Sequence, residues 1–225
     1  MEYKYKFKDY KFKHLGQNLL LHPFKSIFWE DTKILFLSDL HIGKAAHFRK
    51  AGIPIPELVH SDDFSKMNYL IKTYQPRRLV FLGDLFHSEY NKAWEEFKKY
   101  TIKYIQIKPE LVIGNHDILD ESHYSFMDIH RNTLIIEPFI LTHQPMAEEE
   151  ISEFYNLCGH LHPSVRIFGA AKQSFRVECF YFGQKQGILP AFGNFTGTSK
   201  LLKKAKNDKT FAITENEVIP LHQNC

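Results

Sequence analysis

Cysteine is scarce in this chain. Cys158, Cys179 and Cys225 are its three thiols, an odd number without repeated spacing, which excludes a disulfide framework. Long apolar runs are missing as well. Nothing approaches the ~18 apolar residues of a membrane span, and the opening "MEYKYKFKDY" has no apolar stretch of the signal-peptide kind. There is no low-complexity tract and no internal repeat. With 24% charged and 44% hydrophobic residues among 225, general disorder is excluded. Nor does one sign of charge dominate. A net charge of +3 permits an anionic substrate but lacks the heavy basic surplus of a pure nucleic-acid binder. The expectation is a reduced, cytoplasmic protein without membrane contact, forming one domain over residues 1–225.

What is present alternates in texture. "KILFLSDLH", "RRLVFLGDLFH" and "ELVIGNHDI" are apolar runs that end in polar residues, the pattern of strands buried on both faces. Between them, "ELVHSDDFSKMNYLIKTY" and "KAWEEFKKYTIKY" carry apolar residues at helical spacing, the first stopped by Pro76. Strand and helix in turn predict parallel β-α-β units. After residue 130, "TLIIEPFILTHQP", "YNLCGHLHPSV", "SFRVECFYFG", "QGILPAFGNF" and "TFAITENEVIPL" read as strands joined by short turns. An α/β first half is thus followed by a β-rich second half, without a linker. At the start, "EYKYKF" and "YKFKHL" alternate aromatic and charged residues. They read as an edge strand with protective outward lysines, although such interleaving also suits nucleic acid.

Polar residues concentrate at the strand ends. Asp39 and His41 close "SDLH", Asp84 follows in "GDLFH", and Asn115, His116 and Asp117 lie together in "GNHD". His143 in "THQP" and His160 and His162 in "GHLH" complete the series. Ligand sites of open α/β sheets form at the carboxyl ends of strands, so five segments would meet in one place. A single histidine on an apolar strand is more often a hydrogen-bonded core residue. Five motifs in order, each after an apolar run, point instead to a shared site. Carboxylates and imidazoles crowded together are costly to desolvate unless metal charge offsets them. Carboxylate, imidazole and amide oxygen without thiolate suit Mn²⁺, Fe or Zn²⁺. So many ligands exceed the needs of one ion and fit two that share a carboxylate. Such pairs, ~3.5–4 Å apart, act on phosphate esters.

In this order, "DLH", "GDLFH", "GNHD", "THQP" and "GHLH" resemble the five signature blocks of calcineurin-like metallophosphoesterases. The resemblance implies an α/β fold, a four-layer β-sandwich flanked by helices, with two divalent metal ions. Carried over by position, Asp39, His41 and His162 hold the first ion and Asp84 bridges. Asn115, His143 and His160 join Asp84 on the second. His116 lies over the leaving group instead of binding metal. Asp117, its neighbour in the chain, is read as orienting that imidazole. "DLHIGKAAHFRKAGIPIP", "GHLHPSVRI" and "LPAFGNFTG" are further similar to the ligase-associated DNA damage response phosphoesterases. That likeness implies a Mn²⁺-dependent phosphodiesterase or endonuclease that uses a metal-activated water. DNA is then the substrate, and a DNA ligase, a helicase and an exonuclease of a repair cluster are the partners.

Lys44, His47, Arg49 and Lys50 follow the first ligands. Lys44 and Arg49 are read as phosphate-binding residues; the competing reading is a solvated loop. His87 and Ser88 stand beside the site, and Cys158 reads as a buried core thiol. "KLLKKAKNDK" reads as a solvated turn and "PAFGNFTG" as a glycine-rich one. No glycine-rich phosphate cradle and no long lid appear. The leading expectation is a dimetal phosphodiesterase that prefers diesters to monoesters and accessible DNA to duplex. The alternative is a phosphatase or phosphodiesterase for a nucleotide or other small phosphorylated substrate. A non-catalytic scaffold would be expected to have lost ligands, and none is lost.

Overall fold

In the computed structural model, the apolar runs of the first half become strands whose two faces serve different cores. Residues 6–221 are described, apart from 46–47, 49–51, 53–58, 88, 105, 108, 152, 169–172, 195, 198, 201–204 and 206. Strands β1 (Tyr10–His14), β2 (Gln17–His22), β3 (Ser26–Trp29), β4 (Ile34–Leu37), β5 (Arg78–Leu82), β6 (Pro109–Val112) and β7 (Asp128–His130) form one sheet in that order. The first four run antiparallel, and β4 to β7 are mutually parallel. Successive strand residues point to opposite faces. Ile34, Phe36, Val80, Leu82 and Val112 therefore face one core, and Leu35, Leu37, Leu79, Phe81 and Leu111 the other. That division is why these strands are apolar throughout.

The second core lies under helices α1 (Val59–Tyr74) and α2 (Lys92–Ile102). Met67, Leu70 and Ile71 of α1 and Trp94 and Phe97 of α2 fill it at helical spacing. The Asn91 side chain caps α2 by accepting from the Ala93 N–H. Gln75, in a left-handed conformation just before Pro76, ends α1. Each fully buried large side chain contributes about 1.5–3 kcal/mol, so the helices are held by packing.

The first core is closed by the second sheet. Its path is β14 (Ser199–Lys200), β11 (Pro163–Phe168), β12 (Ser174–Phe182), β13 (Gln186–Ile188), β10 (Tyr155–Cys158), β9 (Phe139–Leu141) and β8 (Leu134–Ile136). Strands β15 (Lys209–Ile213) and β16 (Val218–Leu221) join through β12. Phe139, Leu141, Tyr155, Leu157, Phe180 and Phe182 pack against the first sheet. The two halves of the chain thus share one core. This two-sheet α/β sandwich with helices against the first sheet is the fold that the sequence resemblance implies; among the described residues no helix covers the outer face of the second sheet. No described helix is long and apolar enough to cross a membrane. β1 lies at the edge of its sheet, with Phe12 inward and Lys11 and Lys13 exposed. Most of "EYKYKF" lies outside the described residues.

Candidate metal centre

The ligand candidates leave the strands at one end. Asp39 follows β4, Asp84 follows β5 and Asn115 follows β6, three parallel neighbours. From the facing sheet, His143 follows β9, and His160 and His162 follow its parallel neighbour β10. Backbone hydrogen bonds stitch the loops together. The Asp39 N–H donates to Gly83 O at 3.1 Å, His41 N–H to Asp84 O at 2.9 Å and Gly159 N–H to His143 O at 3.0 Å. Across the sheets, the His160 N–H donates to Asp39 Oδ2 at 3.0 Å.

Five of these residues adopt a backbone that side chains rarely tolerate. Asp39 (φ 53°), His41 (49°), Asp84 (49°), His160 (65°) and His162 (43°) are left-handed. Such residues cost on the order of 1–3 kcal/mol each and persist where surroundings over-determine them. Two glycines give the room. A Cβ on Gly159 would lie 1.7 Å from Ser38 Oγ and 2.4 Å from Asp39 Oδ2, and one on Gly83 would lie 2.2 Å from His143 Nδ1.

The side chains form two groups around Asp84. Asp39, His41 and His162 make one, and Asp84, His143 and His160 the other, each with ligand atoms within 4.8 Å of one another. Asp84 stands between them, Oδ2 at 3.7 Å from His41 Nε2 and Oδ1 at 3.3 Å from His143 Nε2. Asn115 Oδ1 lies 3.0 Å and His160 Nδ1 3.1 Å from His143 Nε2. His162 Nε2 is 3.1 Å from Asp39 Oδ1. Backbone carbonyls set two tautomers: His143 Nδ1 faces Leu82 O at 2.9 Å, and His162 Nδ1 faces Gly197 O at 2.8 Å. Each Nδ1–H then donates to its carbonyl and leaves the Nε2 lone pair turned into the site.

This donor set fits cations. With His143 Nδ1–H given to Leu82, its Nε2 brings no hydrogen to Asn115 Oδ1 or to Asp84 Oδ1, whose described backbone donor is the His116 N–H. Both ring nitrogens of His41 are buried without hydrogen-bond partners among the described residues, and the His162 imidazole is the group beside Asp39 Oδ1. Ligands about 2.1 Å from a common ion lie about 3 Å apart at right-angle coordination, close to the spacings found. Protons answer the same need. Burial pulls His143 down, but the Asp84 carboxylate outweighs it and holds the imidazole at about 9. Burial likewise raises Asp84, yet His143 brings it to about 2. Burial pushes His41 down to about 3 despite both carboxylates. Metal ions compete with protons for such lone pairs.

His116 stands apart from the two groups. Its N–H donates to Asp84 Oδ1 at 2.9 Å, and its ring lies 4.3 Å from the His87 ring and 5.3 Å from that of His41, centroid to centroid. Those three histidines make a third cluster of potential ligands. Asp117 departs from the sequence reading. Its oxygens accept from the N–H groups of Phe86 (3.0 Å) and Gly114 (2.9 Å), so its described hydrogen bonds hold the loop instead of the His116 ring. Lys44 is near enough to sense Asp84 and Asp39, although burial dominates and lowers it. Arg49, His47, Lys50 and Ser88 lie outside the described residues.

The glycine-rich segment after β13 has more to do than turn. Phe192 N–H donates to Ser38 O at 2.8 Å and Gly193 N–H to Asp39 O at 3.2 Å, while Gly197 O orients His162. Its signal in the sequence was the cluster of glycines, without any side chain to mark a destination.

The family model described as calcineurin-like phosphoesterase matches residues 32–219, which span every ligand candidate. Among solved structures the chain is similar to the nuclease MPE of Pseudomonas putida, at 24% identity over 95% of this chain and 100% of that one, with a TM-score of 0.76. The phosphoesterase Yfce from E. coli matches at 13% identity over 81% of this chain and 88% of that one, with a TM-score of 0.39. No curated protein matches at a significant level.

Proposed function

Because the chain belongs to the calcineurin-like phosphoesterase family, we propose that it is a dimetal phosphodiesterase cleaving DNA, with Mn²⁺ as the preferred ion. The observation that carries this reading is the pair of donor groups on either side of Asp84. Asp39, His41 and His162 would hold one ion, Asn115, His143 and His160 the other, and Asp84 both. When bound, the ions supply Lewis acidity toward phosphoryl oxygens and activate water.

The chain supplies the rest. Asn115 is a neutral oxygen ligand, so it adds no charge to repel phosphate. Asp117 fixes the turn that carries Asn115 and His116. His116 holds a proton for the departing oxygen, the role of a general acid. Lys44, and with it Arg49, binds the phosphate. A diester has a single negative charge at phosphorus and needs less cationic help than a monoester dianion, which suits this modest basic complement. The relative from Pseudomonas putida is a nuclease by name, which supports a polymeric substrate. The link to repair, with its ligase, helicase and exonuclease, and a cytoplasmic location rest on the sequence resemblance.

Metal content and turnover test this together. Mn²⁺-loaded protein is expected to carry two ions per chain by elemental analysis and to cleave bis(p-nitrophenyl) phosphate and single-stranded DNA. Asp84→Ala is expected to keep less than one ion and nearly no activity. Full activity with one ion, or monoesters turned over far faster than any diester, would refute the proposal.

A further inference from the structure

Strands β11 and β12 continue beyond the sheet as a ribbon. Among the described residues β14 pairs with β11 only at Pro163 and Ser164, and β15 pairs with β12 only from Cys179 on. Residues 165–168 and 174–177 therefore pair with each other alone among the described residues. The register puts Arg166 directly opposite Arg176 and Phe168 opposite Ser174. By the two-residue period of a strand these four share one face, and all four are exposed, Phe168 to 68%.

Folding does not account for this face. Like charges directly opposite each other destabilise a strand pair, and neither arginine has a carboxylate partner among the described residues. Glu178, the acid on the same face, is held by Lys25 Nζ at 2.8 Å. A phenyl ring left in water beside two guanidinium groups gains nothing from the fold. Each group has a use against one kind of partner: guanidinium clamps phosphate, and an open aromatic face stacks on an unpaired base.

The ribbon also starts at the metal centre. β11 begins one residue after His162, so Arg166 lies at most about 13 Å along the strand from that ligand. We propose that Arg166, Arg176 and Phe168 form a substrate arm that grips single-stranded nucleic acid a few nucleotides from the bond being cleaved. This rests on the reading of the chain as a nucleic-acid phosphodiesterase and adds where the strand leaves the site. A duplex hides the base faces that Phe168 would meet, so the arm favours unpaired strands.

The test compares KM for oligodeoxynucleotides of increasing length with KM for bis(p-nitrophenyl) phosphate, at several salt concentrations with Mn²⁺. In the wild type, KM falls as the oligonucleotide grows long enough to reach the ribbon. The double variant Arg166→Ala/Arg176→Ala raises KM for long oligonucleotides about tenfold more than for the reporter. It also reduces the salt slope by about 1.4, at ~0.7 per single-strand phosphate contact. Arg166→Lys/Arg176→Lys keeps the slope, which separates charge from folding, and Phe168→Ala weakens binding without changing it. If the wild type cleaves DNA while the alanine pair leaves length dependence and slope intact, the arm is refuted and the nuclease reading stands. If the wild type cleaves the reporter but no nucleic acid, the nuclease reading fails and the arm with it. Variants that turn a dimer into a monomer in sedimentation, with KM unmoved, would assign the ribbon to contact between copies and overturn the proposal.

Discussion

His116 divides its backbone and its ring between two tasks. The N–H steadies Asp84, and the imidazole turns toward His41 and His87. His116→Ala keeps the first and removes the second. It is expected to retain both ions by elemental analysis and lose about 10²–10⁴ in kcat, most with poor leaving groups. Loss of an ion instead would move His116 into the ligand set. At this scale the sequence was informative about chemistry and silent about conformation. The ligand candidates stood out because carboxylates and imidazoles seldom end apolar strands without reason. Nothing in "SDLH" or "GHLH" announces left-handed backbone at Asp39, His41, His160 and His162, since that is imposed by contacts remote in sequence. Asp117 shows the same limit. Its place beside His116 invited a role on the ring, whereas the amides that occupy it come from Phe86 and Gly114.

Among the elements, the turn after β10 is the most tightly constrained. Gly159 lets Ser38 and Asp39 come against the backbone of the opposite sheet. Gly159→Ala is expected to keep the far-ultraviolet circular dichroism of the wild type while lowering Mn²⁺ affinity about 10- to 100-fold, as loss of ligand support does. Unchanged affinity by calorimetry would mean that the loops move apart at little cost. The parallel strands and both helices were legible because their periodicity is local. The helix read to Tyr104 ends at Ile102, with Lys103 and Tyr104 in a closing turn. The β-rich half was legible as strands but not as pairings. That β12 meets β11, β13 and β15 along its length, and that Arg166 therefore faces Arg176, depends on register that no single segment encodes.

For the molecule as a whole, two histidines outside the candidate metal centre also tie stability to pH. Burial pushes His22 down to about 3, and burial followed by the Lys209 charge pushes His14 down to about 4. His22 Nδ1 accepts from the Phe24 N–H at 2.8 Å, a bond that needs the neutral ring, and Asp9 at 3.8 Å is too distant to hydrogen-bond Nε2. Both values lie below the unfolded ~6.5. The stability these rings contribute is therefore complete above pH 6.5 and drains away as pH falls toward 4, by up to about 1.4 kcal/mol per pH unit for buried His22 and by less for the solvent-screened His14. His22→Asn, which keeps an acceptor that cannot titrate, should flatten the decline of metal-free protein in urea titrations between pH 6.5 and 4. Parallel curves for the two proteins would remove His22 from the account.

The division of β4, β5 and β6 between two cores also works as a ruler. A one-residue slip of any of them would exchange its inner and outer side chains, placing Phe36 or Val80 against the wrong neighbours. Register is thus checked on both faces of the sheet. A slip would also carry Asp39, Asp84 or Asn115 about 3.3 Å along the strand, more than the whole length of a metal–ligand bond of about 2 Å. Apolar packing that never touches a phosphate sets the height at which each ligand candidate emerges.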